Sequence, residues 1–469
     1  MKYCFFIGAL FCSVIMNAQT LTLKDCIETA IKNNLEVKQA EWQSKTSEVN
    51  WKQTRANQVP FVNSGISHGV NQGRSIDPFT NSYINQEVAF ANYSLNSSVV
   101  LWNGGSLRNS TQRDALSYEA AKMDLQQARE NITINVILAY LQILNNEEQV
   151  SLAKQQTSAT RQQVERLEVL NKQGAIPPAT LYDLRGQLAT DELNEINAKN
   201  NLENSKLTLA QLMNVDYSST MQVERLLQNA DISLYTDQSD AIYQLASQQL
   251  AIVKAAEFRK QVASKEINAA KGGRLPSVVF NAGLGTNYSS AASTLDLLST
   301  SDVATSNYVT VNGNKIFVYA PQNNYSSQKI SYSNQWKNNF NSGISLSLRI
   351  PILNGAQARS RIDLAKILEE RATFESQTIK TQLKQNVQQS YINMTSAYER
   401  YIKLQQQVQD FTESFNAAEV RFKAGVGTSV DYIIAKNNFE SAKGNLVAAK
   451  YDYMLRTKVL DFYQGKSLY

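Results

Sequence analysis

Hydrophobic and polar residues alternate one by one in four stretches of this chain. Over residues 339–350, Phe340, Ile344, Leu346, Leu348 and Ile350 share one face, and Asn339, Asn341, Gly343, Ser345, Ser347 and Arg349 share the other. Over 277–287, Val278, Phe280, Ala282 and Leu284 oppose Ser277, Asn281, Gly283 and Asn287. Over 88–102, Ala89, Ala91, Tyr93, Leu95, Val99 and Leu101 oppose Asn92, Ser94, Asn96 and Ser98; residues 60–70 follow the pattern more weakly. A period of two predicts strands with one apolar face. The opposite faces carry Asn, Ser and Gly with almost no charge, which suits a water-filled lumen with lipid outside. Tyr93, Trp102, Tyr288 and Phe340, near strand ends, suit interfacial belts. The alternative is an ordinary half-exposed antiparallel sheet, for which strands this long are not needed. The segments joining the paired strands, 71–86 and 289–337, read as polar loops rich in Ser, Asn, Thr and Tyr. Four strands cannot close a barrel, and open edges cannot face lipid, so several copies would share one barrel.

A second pattern runs much longer. Met394, Ala397, Tyr401, Leu404, Val408, Phe411, Phe415, Ala418 and Phe422 follow a strict three-four spacing, the repeat of a coiled coil. An offset of 251 residues carries this seam onto Ile143, Asn146, Val150, Ala153, Thr157, Thr160, Val164, Leu167 and Asn171, in register but more polar. Such a narrow stripe packs helices side by side into a wall and does not bury a globular core. Pro is absent between Pro78 and Pro177, between Pro178 and Pro276, and after Pro351; Gly is absent from 106–173 and 356–424. Two helices of nearly 70 residues, each about 100 Å long at 1.5 Å per residue, are therefore permitted.

The offset of 251 relates more than the seam. Asn103-Gly104 recurs as Asn354-Gly355, Gly174 as Gly425, Lys172 as Lys423, and Arg185 as Lys436, while Val59-Pro60 recurs as Leu275-Pro276 at offset 216. A duplication fixes the architecture before other detail is read. The first repeat spans 19–230, with strands at about 59–70 and 88–102 and a helical hairpin at 105–213. The second spans 231–469, with strands at about 275–287 and 339–351 and a hairpin at 356–464. A further helix precedes each strand pair, at 23–56 and 240–271.

Composition narrows the setting. Residues 1–18 read as a secretory signal, with Lys2 before an apolar run that ends near Asn17-Ala18. No later stretch approaches about 18 consecutive apolar residues, which excludes a membrane-spanning helix in the mature chain. A net charge of +5, dispersed along the helices with no basic tract, gives no sign of nucleic acid. Beyond the signal only Cys26 remains, so no intramolecular disulfide or thiolate metal site is expected; it reads as a half-buried helix residue. His68, the lone His, reads as a wall residue of the first strand. There is no nucleophile–base motif, no Gly-rich phosphate loop and no His/Cys cluster, so neither an enzyme nor a cofactor is expected.

Two segments then point to a family. Residues 421–432, Arg-Phe-Lys-Ala-Gly-Val-Gly-Thr-Ser-Val-Asp-Tyr, and residues 442–453, Ala-Lys-Gly-Asn-Leu-Val-Ala-Ala-Lys-Tyr-Asp-Tyr, resemble the second hairpin tip and returning helix of the TolC-like outer-membrane efflux proteins. The loop Gly73-Arg74-Ser75-Ile76-Asp77-Pro78 resembles Bacteroidetes-type members. The motifs are individually loose, but their order and duplication span essentially the whole mature chain. The resemblance implies a homotrimer whose chains share one 12-stranded outer-membrane β-barrel on a coiled-coil α-helical tunnel through the periplasm. It implies a passive exit duct for tripartite efflux or type I secretion. Its partners would be outer-membrane lipid, a periplasmic adaptor (membrane fusion) protein and an inner-membrane pump of RND or ABC type.

The resemblance carries gate residues over only in part. Family members place two Asp residues one helical turn apart at the second tip; Asp431 matches the first, and Ile434 occupies the place of the second. Gly427 stands where a latching Arg is found, and Phe422 where a latching Tyr is common. In the first repeat Thr180 corresponds to Asp431 and Asp183 to Ile434. Asp183 and Asp431 are thus the gate candidates, since a carboxylate repeated around a narrow axis attracts cations. Their other reading is as helix N-terminal acids that favour the dipole. The turns Gly174-Ala175-Ile176 and Gly425-Val426-Gly427 are the expected adaptor contacts. The rival is a secreted or periplasmic structural coiled-coil protein. A heat-modifiable trimer that needs detergent is expected on native gels; a protein soluble without detergent supports the rival.

Overall fold

A computed structural model describes residues 20–76, 81–85, 87–225 and 232–466. The expected signal at 1–18, and Asp77-Pro78 of the loop motif, lie outside the described residues. The chain divides into two compact units, each drawn from both halves of the sequence. One comprises residues up to Val49, Asp114–Ala263 and Ile367 onward; the other comprises Asn50–Arg113 and Ser264–Lys366. The spatial division therefore cuts across the repeats at 19–230 and 231–469.

In chain order the first repeat contains helices α1 (Leu23–Asn33) and α2 (Leu35–Ala56), then strand β1 (Phe61–Asn71). The short strands β2 (Arg74–Ile76) and β3 (Tyr83–Asn85) precede β4 (Val88–Asn103), and the hairpin α3 (Ser106–Lys172) and α4 (Pro178–Met213) follows. The second repeat contains α5 (Ser239–Gln249), α6 (Ala251–Gly272), β5 (Ser277–Ser289), β6 (Ser293–Val311), β7 (Asn314–Lys329), α7 (Tyr332–Asn338) and β8 (Asn341–Arg349). It closes with the hairpin α8 (Gln357–Lys423) and α9 (Ser429–Tyr463). The two long helices have 67 residues each. No helix among the described residues is long and apolar enough to cross a membrane.

The helices expected at 23–56 and 240–271 are each interrupted, at Asn34 and Leu250. Both residues are extended, with ψ of 135° and 136°, and they stand 216 apart, the offset already seen at Pro60 and Pro276. In the first repeat Asn34 stops one helix and starts the next. Its Oδ1 accepts the Glu36 N–H at 2.9 Å, as an N-cap does. In the second repeat a neighbour does that work, because Gln127 of α3 accepts the Ile252 N–H at 3.1 Å. Apolar spacing alone carries no sign of either break.

The helical unit has a core in each repeat, and the two cores share matched positions. Val136, Ile143 and Leu209 lie in one, and Val387, Met394 and Leu460, each 251 further on, lie in the other. Cys26 and Ala30 pair in the same way with Ile242 and Ala246, 216 further on. Cys26 is fully buried where half-burial was expected, because it fills a position that Ile242 fills in the second repeat. Burial pushes its thiol up to about 12, so it acts as a small hydrophobic side chain. The seams are buried or half-buried along their length. In α3 this includes Thr157 and Thr160, at 4% and 1% exposure.

The second unit holds a four-stranded antiparallel sheet in the order β1-β4-β5-β8. Its register sorts the faces as the alternation predicts. Val278 faces Leu348, Phe280 faces Leu346 and Ala282 faces Ile344 across one row, while Asn281 faces Ser345 and Gly283 faces Gly343 across the other. Between β4 and β5, Asn96 meets Gly283 and Asn92 meets Asn287. A bulge between Val100 and Trp102 sets Trp102 opposite Val278, so Trp102 joins the apolar row in place of the expected Leu101. His68 lies in the apolar row of β1, opposite Ala91. Among the described residues, β1 pairs only with β4 and β8 only with β5, leaving an open edge on each.

The segment 289–337, expected as a polar loop, is instead a long hairpin of β6 and β7 followed by α7. The reversal sits at Asn312-Gly313, with φ of 52° and 84°. An Asn-Gly pair with both residues left-handed makes the tight turn whose twist suits a hairpin. Ser and Thr alternating with Leu, Val and Tyr supply the strands. The smaller loop holds the β2–β3 pair.

The sorted faces generate a direct test. Leu346→Arg places a charge in the apolar row and is expected to cost about 2–4 kcal/mol at the bilayer midplane. It should lower the yield of heat-modifiable protein refolded into bilayers, while Ser345→Arg, on the polar row, should refold like the parent.

Candidate functional site

The candidate site lies at the turns of the two helical hairpins. Each turn is closed in the same way. After α3 the Gly174 N–H donates to the Asn171 carbonyl (3.0 Å) and the Ala175 N–H to Leu170 (2.9 Å). After α8 the Gly425 N–H donates to Phe422 and the Val426 N–H to Arg421, both at 3.1 Å. These are Schellman bonds, which need a left-handed residue at the turn. Gly174 and Gly425 supply it, with φ of 70° and 75°.

The turns differ in how the returning helix starts. Pro177 precedes α4 with no side-chain cap, and the Thr180 N–H donates to the Pro177 carbonyl. Thr428 caps α9: its hydroxyl oxygen accepts the Asp431 N–H at 3.1 Å and donates to the Asp431 carboxylate at 2.7 Å. Asp431 is thus an exposed acid in the first turn of α9, where the helix dipole favours it. Asp183 is also exposed, and its carboxylate accepts the Ser429 hydroxyl at 2.8 Å, which ties α4 to the start of α9.

The other named residues divide between surface and core. Val426 and Ile434 are exposed, as are Gly174, Ala175 and Gly425. Ile176 is half-buried against the apolar cluster of Val164, Leu167, Leu181, Leu184 and Tyr432, and Thr180 is half-buried. Phe422 belongs to the same cluster, stacked on Tyr432 with ring centroids 4.8 Å apart and planes at 17°. Burial raises the Tyr432 hydroxyl to about 12. Gly427 is pressed against the end of α8. A Cβ there would lie 3.1 Å from the Phe422 nitrogen and 3.2 Å from the Arg421 Cβ, so a side chain requires the end of α8 to shift slightly.

Sequence reasoning missed the network behind the tips. Lys436 of α9 bonds to Asp191 of α4 at 2.8 Å and to Glu440 at 2.7 Å. The Lys436 and Asp191 side chains are each 2% exposed. Asp191 also accepts from Thr160 of α3 (2.6 Å) and from Gln187 (2.7 Å), and Gln187 and Asn437 exchange amide bonds of 3.0 and 3.2 Å. The clue was present, since Thr157 and Thr160 stand mid-seam where the second repeat has Val408 and Phe411. Seam spacing on one helix does not reveal which charge another helix brings to it. By contrast the repeat partner of Lys436, Arg185, forms a surface pair with Glu168 at 2.6 Å.

The comparisons fit this geometry. The sequence profile of the outer membrane efflux protein family matches residues 26–215 and 242–465, one block in each repeat. The chain belongs to that family. It is 22% identical over 344 residues to outer membrane protein TolC of Vibrio cholerae, covering 73% of this chain and 70% of that protein. It is 22% identical to outer membrane protein TolC of Escherichia coli over 332 residues, which span 60% of that protein's length. The fold is similar to that of the outer membrane protein VceC from Vibrio cholerae, with a TM-score of 0.74 at 15% identity, over 95% of this chain and 97% of that one. The protein is therefore an outer-membrane efflux channel, of a family of channels and not of enzymes.

The network predicts opposite outcomes at two of its members. Lys436→Met leaves the buried Asp191 carboxylate, and the half-buried Glu440 beside it, without their cation and is expected to destabilise by about 3–5 kcal/mol. Burial raises the Glu440 carboxyl above its ordinary value of 4.5, and Lys436 only partly opposes this. The folded state then holds the Glu440 proton to higher pH than the unfolded chain, so this carboxyl costs stability as pH rises through its raised value. Glu440→Gln removes that cost. Thermal unfolding should show the variant above the parent at pH 7, with the margin closing as pH falls towards 4.5.

Proposed function

We propose that three copies of this chain close one 12-stranded barrel and form the exit duct of a tripartite efflux or type I secretion system. The observation that carries this reading is the four-stranded sheet, apolar on one face, Asn- and Ser-rich on the other, and open at both edges. In lipid each open edge must pair, and a neighbouring copy offers the complementary edge. Lipid meets the row of Phe280, Leu346 and Leu348, and water meets the row of Asn96, Asn281 and Ser345.

The helices of the copies then form a tunnel in the periplasm. Its narrow end lies at the hairpin turns, where Asp431 and Asp183 stand exposed near Thr180, Ile434, Phe422 and Gly427. Three copies of an exposed carboxylate around an axis favour cations and bind multivalent ones. Ile434 makes the next ring apolar. The turns Gly174-Ala175-Ile176 and Gly425-Val426-Gly427 engage a periplasmic adaptor, and an inner-membrane pump of RND or ABC type drives transport. The duct itself is passive, and the pump selects the cargo.

Single-channel recording in planar bilayers tests the reading. Small, cation-selective openings blocked by multivalent cations are expected. Asp431→Ala should lower the cation preference and weaken the block, with Asp183→Ala as the parallel variant in the first hairpin. Unchanged selectivity in both variants removes these residues from the lumen. Protein that stays soluble without detergent and never conducts favours a structural coiled-coil role.

A further inference from the structure

We infer that α7, with Lys329 and Lys337 at its two ends, is a docking surface for the phosphate-bearing headgroups of outer-leaflet lipid. The inference rests on the barrel reading above and adds to it a helix that lies across the lipid face of the strands.

Polar bonds fix α7 to the end of β5. Gln335, 1% exposed, accepts the Ser289 N–H at 2.8 Å and donates to the Ser289 and Ile330 carbonyls at 3.0 and 2.9 Å. The Asn339 amide donates to the Asn287 carbonyl at 2.7 Å, and the Thr286 hydroxyl donates to the Trp336 carbonyl at 2.9 Å. Thr286 and Tyr288 alternate with Phe280 on one face of β5, and Tyr93 stands opposite Thr286. The rings of α7 pack on that face. Trp336 meets Tyr93 edge-on, and Tyr332 meets Tyr288, each with centroids 4.7 Å apart. The helix therefore lies over the apolar row and not over the row of Asn281 and Ser345.

Its height along the row is that of an interface. Trp102, opposite Val278, marks the other end, where β4 runs on towards α3. From Val278 to Tyr288 the strand climbs about 34 Å at 3.4 Å per residue. At a barrel's usual tilt that is about 25 Å of height, the depth of an apolar band. So α7 sits where hydrocarbon gives way to headgroups.

Exposure and charge then name the occupant. Tyr332, Trp336 and Phe340 recur every four residues and remain 44%, 45% and 57% exposed. Rings with one side on protein and a polar edge free suit the boundary between an apolar and a wet phase. Lys329 and Lys337 are both exposed. Between Asp302 and Asp363 the chain has no Asp or Glu to oppose them. Cations beside interfacial rings attract anionic headgroups.

The test uses the full-length protein refolded into vesicles of phosphatidylcholine and phosphatidylglycerol. The phosphatidylcholine carries bromine either high on the acyl chain or near its end. The fluorescence lost in Trp336→Phe relative to the parent reports Trp336. Strong quenching by the high bromine and weak quenching by the deep one are expected. Quenching by neither, or more by the deep one, overturns the inference. Phe280→Trp keeps the two readings apart. Its added signal should be quenched by the deep bromine, and if it too is unquenched the barrel reading falls as well. A second measurement reads the lysines. Energy transfer from Trp336 to phosphatidylglycerol with a dansyl acyl chain should exceed transfer to phosphatidylcholine labelled in the same way, by up to about fivefold per lysine. Lys329→Gln combined with Lys337→Gln should abolish the excess. Equal transfer to both lipids in the parent, or an excess unchanged in the double variant, overturns the inference.

Discussion

A backbone group in lipid has no water to bond to, and this constraint governs the β unit. Four strands satisfy one another along three ladders and leave two edges unpaired. Inside hydrocarbon those edges require further strands. The same constraint explains why the faces are sorted so cleanly. Phe280 and Leu346 share one row, and Asn281 and Ser345 the other, the sorting that lipid on one side and water on the other requires. A one-residue slip would exchange the two rows, and the paired residues along β5 and β8 show no slip.

The helical unit answers a different problem. A narrow seam buries little apolar surface per residue, so a long hairpin gains specificity from what lies within the seam. Near the tips this protein places Thr160, Asp191 and Lys436 there, buried, with Glu440 at their margin. A buried ion network contributes little net stability compared with a well-packed apolar one. It does penalise any register in which its members fail to meet, and such a penalty is useful in helices whose repeating stripes could slide.

The duplication links the two problems. Val136 and Val387, Ile143 and Met394, and Leu209 and Leu460 occupy matching places in two cores. The helical hairpins of the two repeats diverge at the tips. Thr428 caps the second returning helix where Pro177 begins the first, and Lys436 is buried where Arg185 reaches a surface Glu. Duplicated scaffolds with divergent tips suit a structure whose core must match between repeats while each hairpin meets a different neighbour.

Much of this was legible in the sequence, because periodicity reports directly on which side of an element faces what. The four strands, most of the faces their residues take, the two 67-residue helices, the turn glycines and the repeat offsets follow from local order along the chain. The hairpin at 293–329 was legible in principle from Asn312-Gly313, but its polar composition masked its alternation. The break at Leu250, the bulge that puts Trp102 in place of Leu101, the burial of Phe422 on Tyr432 and the Asp191–Lys436–Glu440 network were decided by tertiary structure alone. Each depends on a group supplied from elsewhere in the chain: Gln127 at the Ile252 N–H, Val278 opposite Trp102, Asp191 opposite Lys436. Sequence order fixes what a residue presents, and only the fold fixes what it meets.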